Sequence, residues 1–245
     1  MLVGLDGSPS SEVALQQAML LARGFHATIV VAHIIEGDAP PGAELLAGAR
    51  DRIVKAGLKV EEVERRGDPE HELAALARDN DVVLIGRTGT ATAHGSVGPT
   101  AAAMLRSADV CVIVCASKPS AMRSIVTAFD GRDASKRALE LAARFASIVD
   151  STVHVVNAND DHTAGLLVVG EAEALLSLQQ VVFQTHVEPG RLAEVAARVV
   201  QRLRCDVLFA GADIARDTPL RPSPVRVSQA EDILRQIDIP VVIQP

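Results

Sequence analysis

Short apolar runs recur along the chain, each followed by a stretch of helical periodicity. The first, Leu2-Val3-Gly4-Leu5, ends at Asp6-Gly7-Ser8. Further strand-like runs fall at 28–35, 59–64, 82–86 and 110–115, and they lack clean alternation, as strands covered on both faces do. The intervening patterns predict helices over 10–23, 42–56, 69–79 and 98–107. Ser10 or Ser11 is placed to cap the first helix. Strands alternating with helices imply right-handed crossovers and a parallel, doubly wound sheet.

The pattern then starts again. Ile125-Val126-Thr127-Ala128-Phe129-Asp130-Gly131 matches the opening run, and Asp133 is placed to cap a helix over 136–147. Asp6 to His33 spans the same 27 positions as Asp130 to Asn157. Asp81 to Gly86 resembles Asp206 to Gly211, and 108–114 resembles 237–243. A period of half the chain predicts two similar domains, 1–116 and 123–245, with Ala116 to Met122 as linker. The fold class is thus α/β, with two five-stranded parallel sheets.

Composition narrows the function. Hydrophobic residues make up 48% of the 245, which excludes a disordered chain. A formal charge of −7 and the lack of Trp and Tyr argue against a nucleic-acid partner. No apolar run reaches membrane-spanning length, so no membrane partner is expected. Three cysteines in or beside apolar runs read as reduced core residues of a cytoplasmic protein.

With the strand order 3-2-1-4-5, a ligand crevice lies between strands 1 and 4. It is bordered by Asp6-Gly7-Ser8 and by the glycine- and hydroxyl-rich stretch from Gly86 to Thr100. Gly86 and Gly89 would let the backbone approach a phosphate, and a helix starting near Pro99 or Thr100 would aim its first amides there. Asp6 could accept hydrogen bonds from a ribose or a base. Arg87 could pair with a phosphate or lie on the surface. The Gly-x-Gly-x-x-Gly fingerprint is missing after the first strand, and the P-loop lysine motif is missing throughout.

Together these residues resemble the universal stress protein family, twice along nearly the whole chain. The motifs are Val3 to Ser8, His33-Ile34, Gly67-Asp68-Pro69, and Gly86-x-x-Gly89 with Gly98 downstream. The resemblance implies two domains of the adenine nucleotide alpha hydrolase-like fold, packed as a pseudo-dimer through their fifth strands. It also implies ATP, with or without Mg²⁺. Asp6, Gly7 and Ser8 would lie at the adenosine end and the Ile34 backbone near adenine. Gly86, Arg87, Gly89, Gly98 and Thr100 would surround the phosphates.

The chain departs from that pattern. Eight residues, Thr90 to Val97, precede Gly98 where nucleotide-binding members have nine, and Pro99 replaces Ser or Thr. Proline removes a hydroxyl and an N–H; Thr100 or Ser96 could substitute, or Gly95-Ser96 could be the true match. In the second half Asp213 and Ile214 stand in the loop, Val227-Ser228 replaces Gly-Ser, and Ser228 with Glu231 reads as a capping box. At most one ATP per chain is therefore expected, in the first domain.

Asp130 reads as a turn residue, His33 as a hydrogen-bonded core histidine, His94 as exposed, and Asn159 to His162 as a solvated loop. No catalytic constellation can be read from spacing. The expected function is stress-response regulation through nucleotide binding and an unidentified protein partner, with a homodimer compatible. The alternatives are a nucleotide-free interaction protein and a slow ATPase or phosphotransferase.

Overall fold

The computed structural model describes residues 1–89, 97–107, 109–212 and 229–245. They form two units, Met1–Pro119 and Ser120–Pro245. The first comprises β1 (Leu2–Gly4), α1 (Pro9–Phe25), β2 (Thr28–Ile35), α2 (Ala43–Lys55), β3 (Lys59–Arg66), α3 (Pro69–Ala77), β4 (Val82–Gly86), α4 (Pro99–Ser107) and β5 (Cys111–Cys115). Its strands pair in parallel in the order β3-β2-β1-β4-β5. The second comprises β6 (Ser124–Ala128), α5 (Asp133–Val149), β7 (Thr152–Ala158), α6 (His162–Leu178), β8 (Phe183–Glu188), α7 (Leu192–Leu203), β9 (Val207–Gly211), α8 (Gln229–Gln236) and β10 (Val241–Gln244). Its order is β8-β7-β6-β9-β10, again parallel and again 3-2-1-4-5.

The central strands explain the continuous apolar runs. Leu2 and Val3 in β1, and Ile125 and Val126 in β6, have no exposed surface, because helices cover both faces. The first helix of each unit packs with small residues at matching positions. Ala14, Leu15, Ala18 and Ala22 of α1 are buried, as are Ala138, Leu139, Ala142 and Ala146 of α5, each 124 residues later. Both helices end on a left-handed cap, at His26 and Asp150.

The helix starts differ from the sequence expectation. Ser8, not Ser10 or Ser11, caps α1: its hydroxyl accepts the Ser11 amide at 3.1 Å. Ser10 instead accepts the Thr88 amide at 3.2 Å, which ties α1 to the end of β4. In α5 the N-cap is Arg132, with no side-chain cap bond, and Asp133 is the first helical residue. It acts through the helix dipole and not as a cap. Pro9, Pro69 and Pro99 each open a helix, where the missing N–H costs no intrahelical bond.

The expected linker is partly structural. The Ser120 hydroxyl donates to the Asp206 carbonyl at 2.8 Å, and Met122 is fully buried. The Asp206 carboxylate takes the Arg123 and Ser124 amides, so the second unit begins at Ser120. Among the described residues, no helix is long and apolar enough to cross a membrane.

Candidate functional site

The turn after β1 is built from its own polar atoms. Gly7 sits at φ +77°, a left-handed conformation that suits glycine. The turn brings the Ser8 amide onto Asp6 Oδ1 at 2.9 Å. The Asp6 amide points at the Ser11 hydroxyl at 3.4 Å, and that hydroxyl donates to the Ser8 carbonyl. One carboxylate oxygen of Asp6 therefore holds the turn, and the exposed carboxylate keeps the capacity for more hydrogen bonds.

Beyond the carboxyl ends of β1 and β4 lies a cavity of about 350 Å³, the position expected for a ligand in this topology. Asp6, Ser8, Ile34, Gly86, Gly89, Gly98 and Thr100 all line it. Gly7 and Arg87 do not: Gly7 shapes the turn, and the Arg87 charge acts on the buried Cys115 thiol. Leu5, Ala32, Pro69 and Leu73 give the cavity an apolar end, and Ser11, Thr88 and Glu36 complete its polar lining. Sequence reasoning did not assign Pro69, Leu73 or Glu36 to the site. Pro69 and Leu73 come from the first turns of α3 and Glu36 from the end of β2, and only the tertiary fold gathers them.

Two glycines have structural duties. A Cβ on Gly86 would lie 2.7 Å from the Ser10 carbonyl carbon, so glycine is what lets β4 end against α1. Gly98 donates its amide to the Arg87 carbonyl at 2.8 Å, and a Cβ there would come within 3.2 Å of the Gly89 nitrogen. The amides of Thr88 and Gly98 are thus committed inside the chain. The anion-attracting element that remains is the start of α4, whose first turn holds no acidic residue.

The second unit repeats the turn almost atom for atom. Gly131 has φ +81°, Asp130 Oδ1 accepts the Arg132 amide at 3.0 Å, and Ser135 takes the place of Ser11. Asp130 is the turn residue that the sequence suggests. Gly211 packs on α5 as Gly86 does on α1, with a Cβ 2.5 Å from the Ala134 carbonyl carbon. A cavity of about 430 Å³ lies at the corresponding position. Its walls differ. Arg132 replaces Ser8, Arg191 replaces Asp68, and α8 carries Glu231 and Asp232 in its first turn. An Arg191–Asp232 ion pair joins two of the lining residues.

Other candidates resolve into structural roles. His33 Nδ1 lies 2.8 Å from the Leu5 carbonyl, beneath Gly42, and it is half-buried. At the equivalent position Asn157 Nδ2 donates to the Phe129 carbonyl at 2.7 Å. Asn159, Asp160 and Asp161 accept the amides of Asp161, Gly190 and the first turn of α6. Among the described residues no cluster could hold a metal ion. Burial pushes the Cys111 and Cys115 thiols up to about 12, consistent with small core residues. His94, Gly95, Ser96, Asp213, Ile214, Val227 and Ser228 lie outside the described residues.

Two doubly wound parallel sheets, each with a cavity at its switch point, define a tandem α/β protein. The universal stress protein family model matches residues 1–116 and 122–245, and the chain belongs to that family. Its fold is similar to that of a universal stress protein from Archaeoglobus fulgidus DSM 4304, at 19% identity and TM-score 0.82, covering 100% of this chain and 97% of that one. It is also similar to a functionally unknown protein from Pseudomonas aeruginosa PAO1, at 17% identity and TM-score 0.75, covering 99% and 91%. No curated protein matches the chain.

Proposed function

We propose that the first unit binds one adenine nucleotide, as ATP with or without Mg²⁺, and that the protein acts as a nucleotide-dependent regulator in the stress response. The observation that carries this reading is the polarity of the 350 Å³ cavity. Ile34, Leu73 and Pro69 offer an apolar seat for adenine, Asp6 an acceptor for ribose, and Gly89 and Thr100 a bare, hydroxyl-bearing end for phosphates. The first turn of α4 supplies the positive end of a helix dipole, with no carboxylate to compete. Three free cysteines fit a reducing cytoplasm. Bound nucleotide would fix the surface around the cavity and so present it to a protein partner.

A second reading, a nucleotide-free interaction protein, draws on different observations. The Thr88 and Gly98 amides are already used, Pro99 offers none, and no basic side chain among the described residues lines the cavity. Calorimetric titration with Mg-ATP separates the two. Binding that is weakened at least tenfold in both Asp6→Ala and Gly89→Val supports the nucleotide site. The absence of any heat in the wild-type protein, confirmed by equilibrium dialysis, supports the nucleotide-free reading. Wild-type affinity in both variants would place the nucleotide elsewhere.

A further inference from the structure

The helix α6 is apolar on the side that its own unit does not cover. Leu166 is 51% exposed, Leu167 74% and Leu178 83%, and Val182 just beyond the helix is 67% exposed. These four are the greater part of the seven exposed large hydrophobic residues among the described positions. The corresponding helix of the first unit, α2, exposes a single large hydrophobic residue, Val54, among charges. Its Arg50 pairs with Asp51 and Glu62, and its Arg52 with Glu12. Clustered exposed apolar surface of this kind marks an interaction site.

The arrangement along α6 indicates what covers it. Leu167, Gly170, Ala174 and Leu178 follow spacings of three and four and so share one stripe. Large residues stand at both ends and small ones between them. Read backwards, the stripe has nearly the same order and spacing. It is therefore self-complementary for two antiparallel helices related by a two-fold axis. Leu167 would meet Leu178 of the second copy, and Gly170 would meet Ala174. A Cβ at Gly170 would meet nothing in the chain within 4 Å, so space for close approach is open there.

Charge supports a second copy over a membrane surface. α6 contains no Lys or Arg and two glutamates, whereas an interfacial membrane helix carries a basic polar face. Glu171, near the proposed axis, is paired with Lys136 at 3.0 Å, and Glu173 accepts the Thr185 hydroxyl at 2.8 Å. Each copy thus brings a Glu171–Lys136 pair to the axis, where the two can exchange partners without net repulsion.

We propose that the chain self-associates through α6, antiparallel, to form a weak homodimer. A 17-residue helix is about 25 Å long, and one such crossing buries on the order of 800 Å², short of the roughly 1,200 Å² of stable interfaces.

Sedimentation velocity across a concentration series of the full chain, with and without ATP, tests the proposal. Wild-type protein should pass from monomer to dimer. Leu167→Lys and Leu178→Glu should each remain monomeric with unchanged melting curves, since both replace exposed side chains. Mixing the two variants should restore association. The antiparallel axis then sets the introduced lysine of one copy against the introduced glutamate of the other and leaves a leucine pair at the opposite end. A monomer at every concentration would overturn the proposal. So would a dimer unaffected by either variant, or a mixture that stays monomeric. Wild-type protein that binds phosphatidylcholine or phosphatidylserine vesicles through this stripe, and does not dimerise, would also overturn it.

Discussion

The turns after β1 and β6 are nearly superposable in chemistry, but the helices that face them are not. Asp6-Gly7-Ser8 and Asp130-Gly131-Arg132 make the same bonds with the same left-handed glycine. Across the cavity, α4 begins with Pro99-Thr100-Ala101, and α8 carries Glu231 and Asp232. A helix start with no carboxylate attracts an anion; one that supplies its own carboxylates already has its negative charge. The aspartate and glycines common to both units are therefore marks of the fold. On the proposed reading, the capacity to hold phosphate would be set at the fourth helix.

The largest effect should come from making α4 resemble α8. Thr100→Asp places a carboxylate at the start of the helix. A like charge at about 4 Å costs roughly 4 kcal/mol at an effective dielectric constant of about 20. That corresponds to a loss of about a thousandfold in ATP affinity, read by calorimetry. The melting curve should stay the same or rise slightly.

Next come the strand-end glycines, whose duty is shared. Gly86→Val and Gly211→Val each drive a branched side chain into the backbone of the facing helix start. Each should lower stability by about 3 kcal/mol in urea titrations. If only Gly86→Val does so, the packing account of these glycines fails.

A smaller effect separates the units by pH. His154 and His186 lie on neighbouring strands of the second unit, with Nδ1 and Nε2 3.4 Å apart. Burial lowers the pKa of both, and then the facing ring acts on His154 and Arg202 on His186, against Glu188. The unfolded chain therefore takes up these protons first. The stability they contribute is full above about pH 6.5 and is lost as pH falls through the lowered folded values. The thermal stability of the second unit should fall as pH drops below about 6.5, and His186→Gln should flatten that slope. A slope unchanged by the substitution would remove these rings as its cause.

The smallest effect is a gain. Arg132→Ser gives α5 the cap that Ser8 gives α1, and should add about 0.5–1 kcal/mol to stability. No gain would mean that the α5 start is already satisfied by other means.

Strands over 28–35 and 82–86 were legible in the sequence because parallel strands covered on both faces carry near-continuous apolar runs, broken in the first only by Thr28 and His33. The edge strand β3 runs to Arg66, beyond the expected end at 64, since its pairing with β2 is made by backbone and tolerates charged side chains. The crevice was legible from topology, which places Asp6 and Gly86 at adjoining strand ends. The reason for Gly86 was not, because a close approach between β4 and α1 leaves no mark in the local pattern. Leu73, Pro69 and Glu36 were illegible for the same reason: they reach the cavity from the start of α3 and the end of β2.

The count of nucleotides bound at saturation tests the central asymmetry most directly. Equilibrium dialysis against radiolabelled Mg-ATP, with the full chain at a concentration well above the dissociation constant, gives that number. One nucleotide per chain, lost in Thr100→Asp and kept in Asp130→Ala, is the expected result. Two per chain would contradict the claim that the acids of α8 exclude phosphate, and none would contradict the proposed site in the first unit.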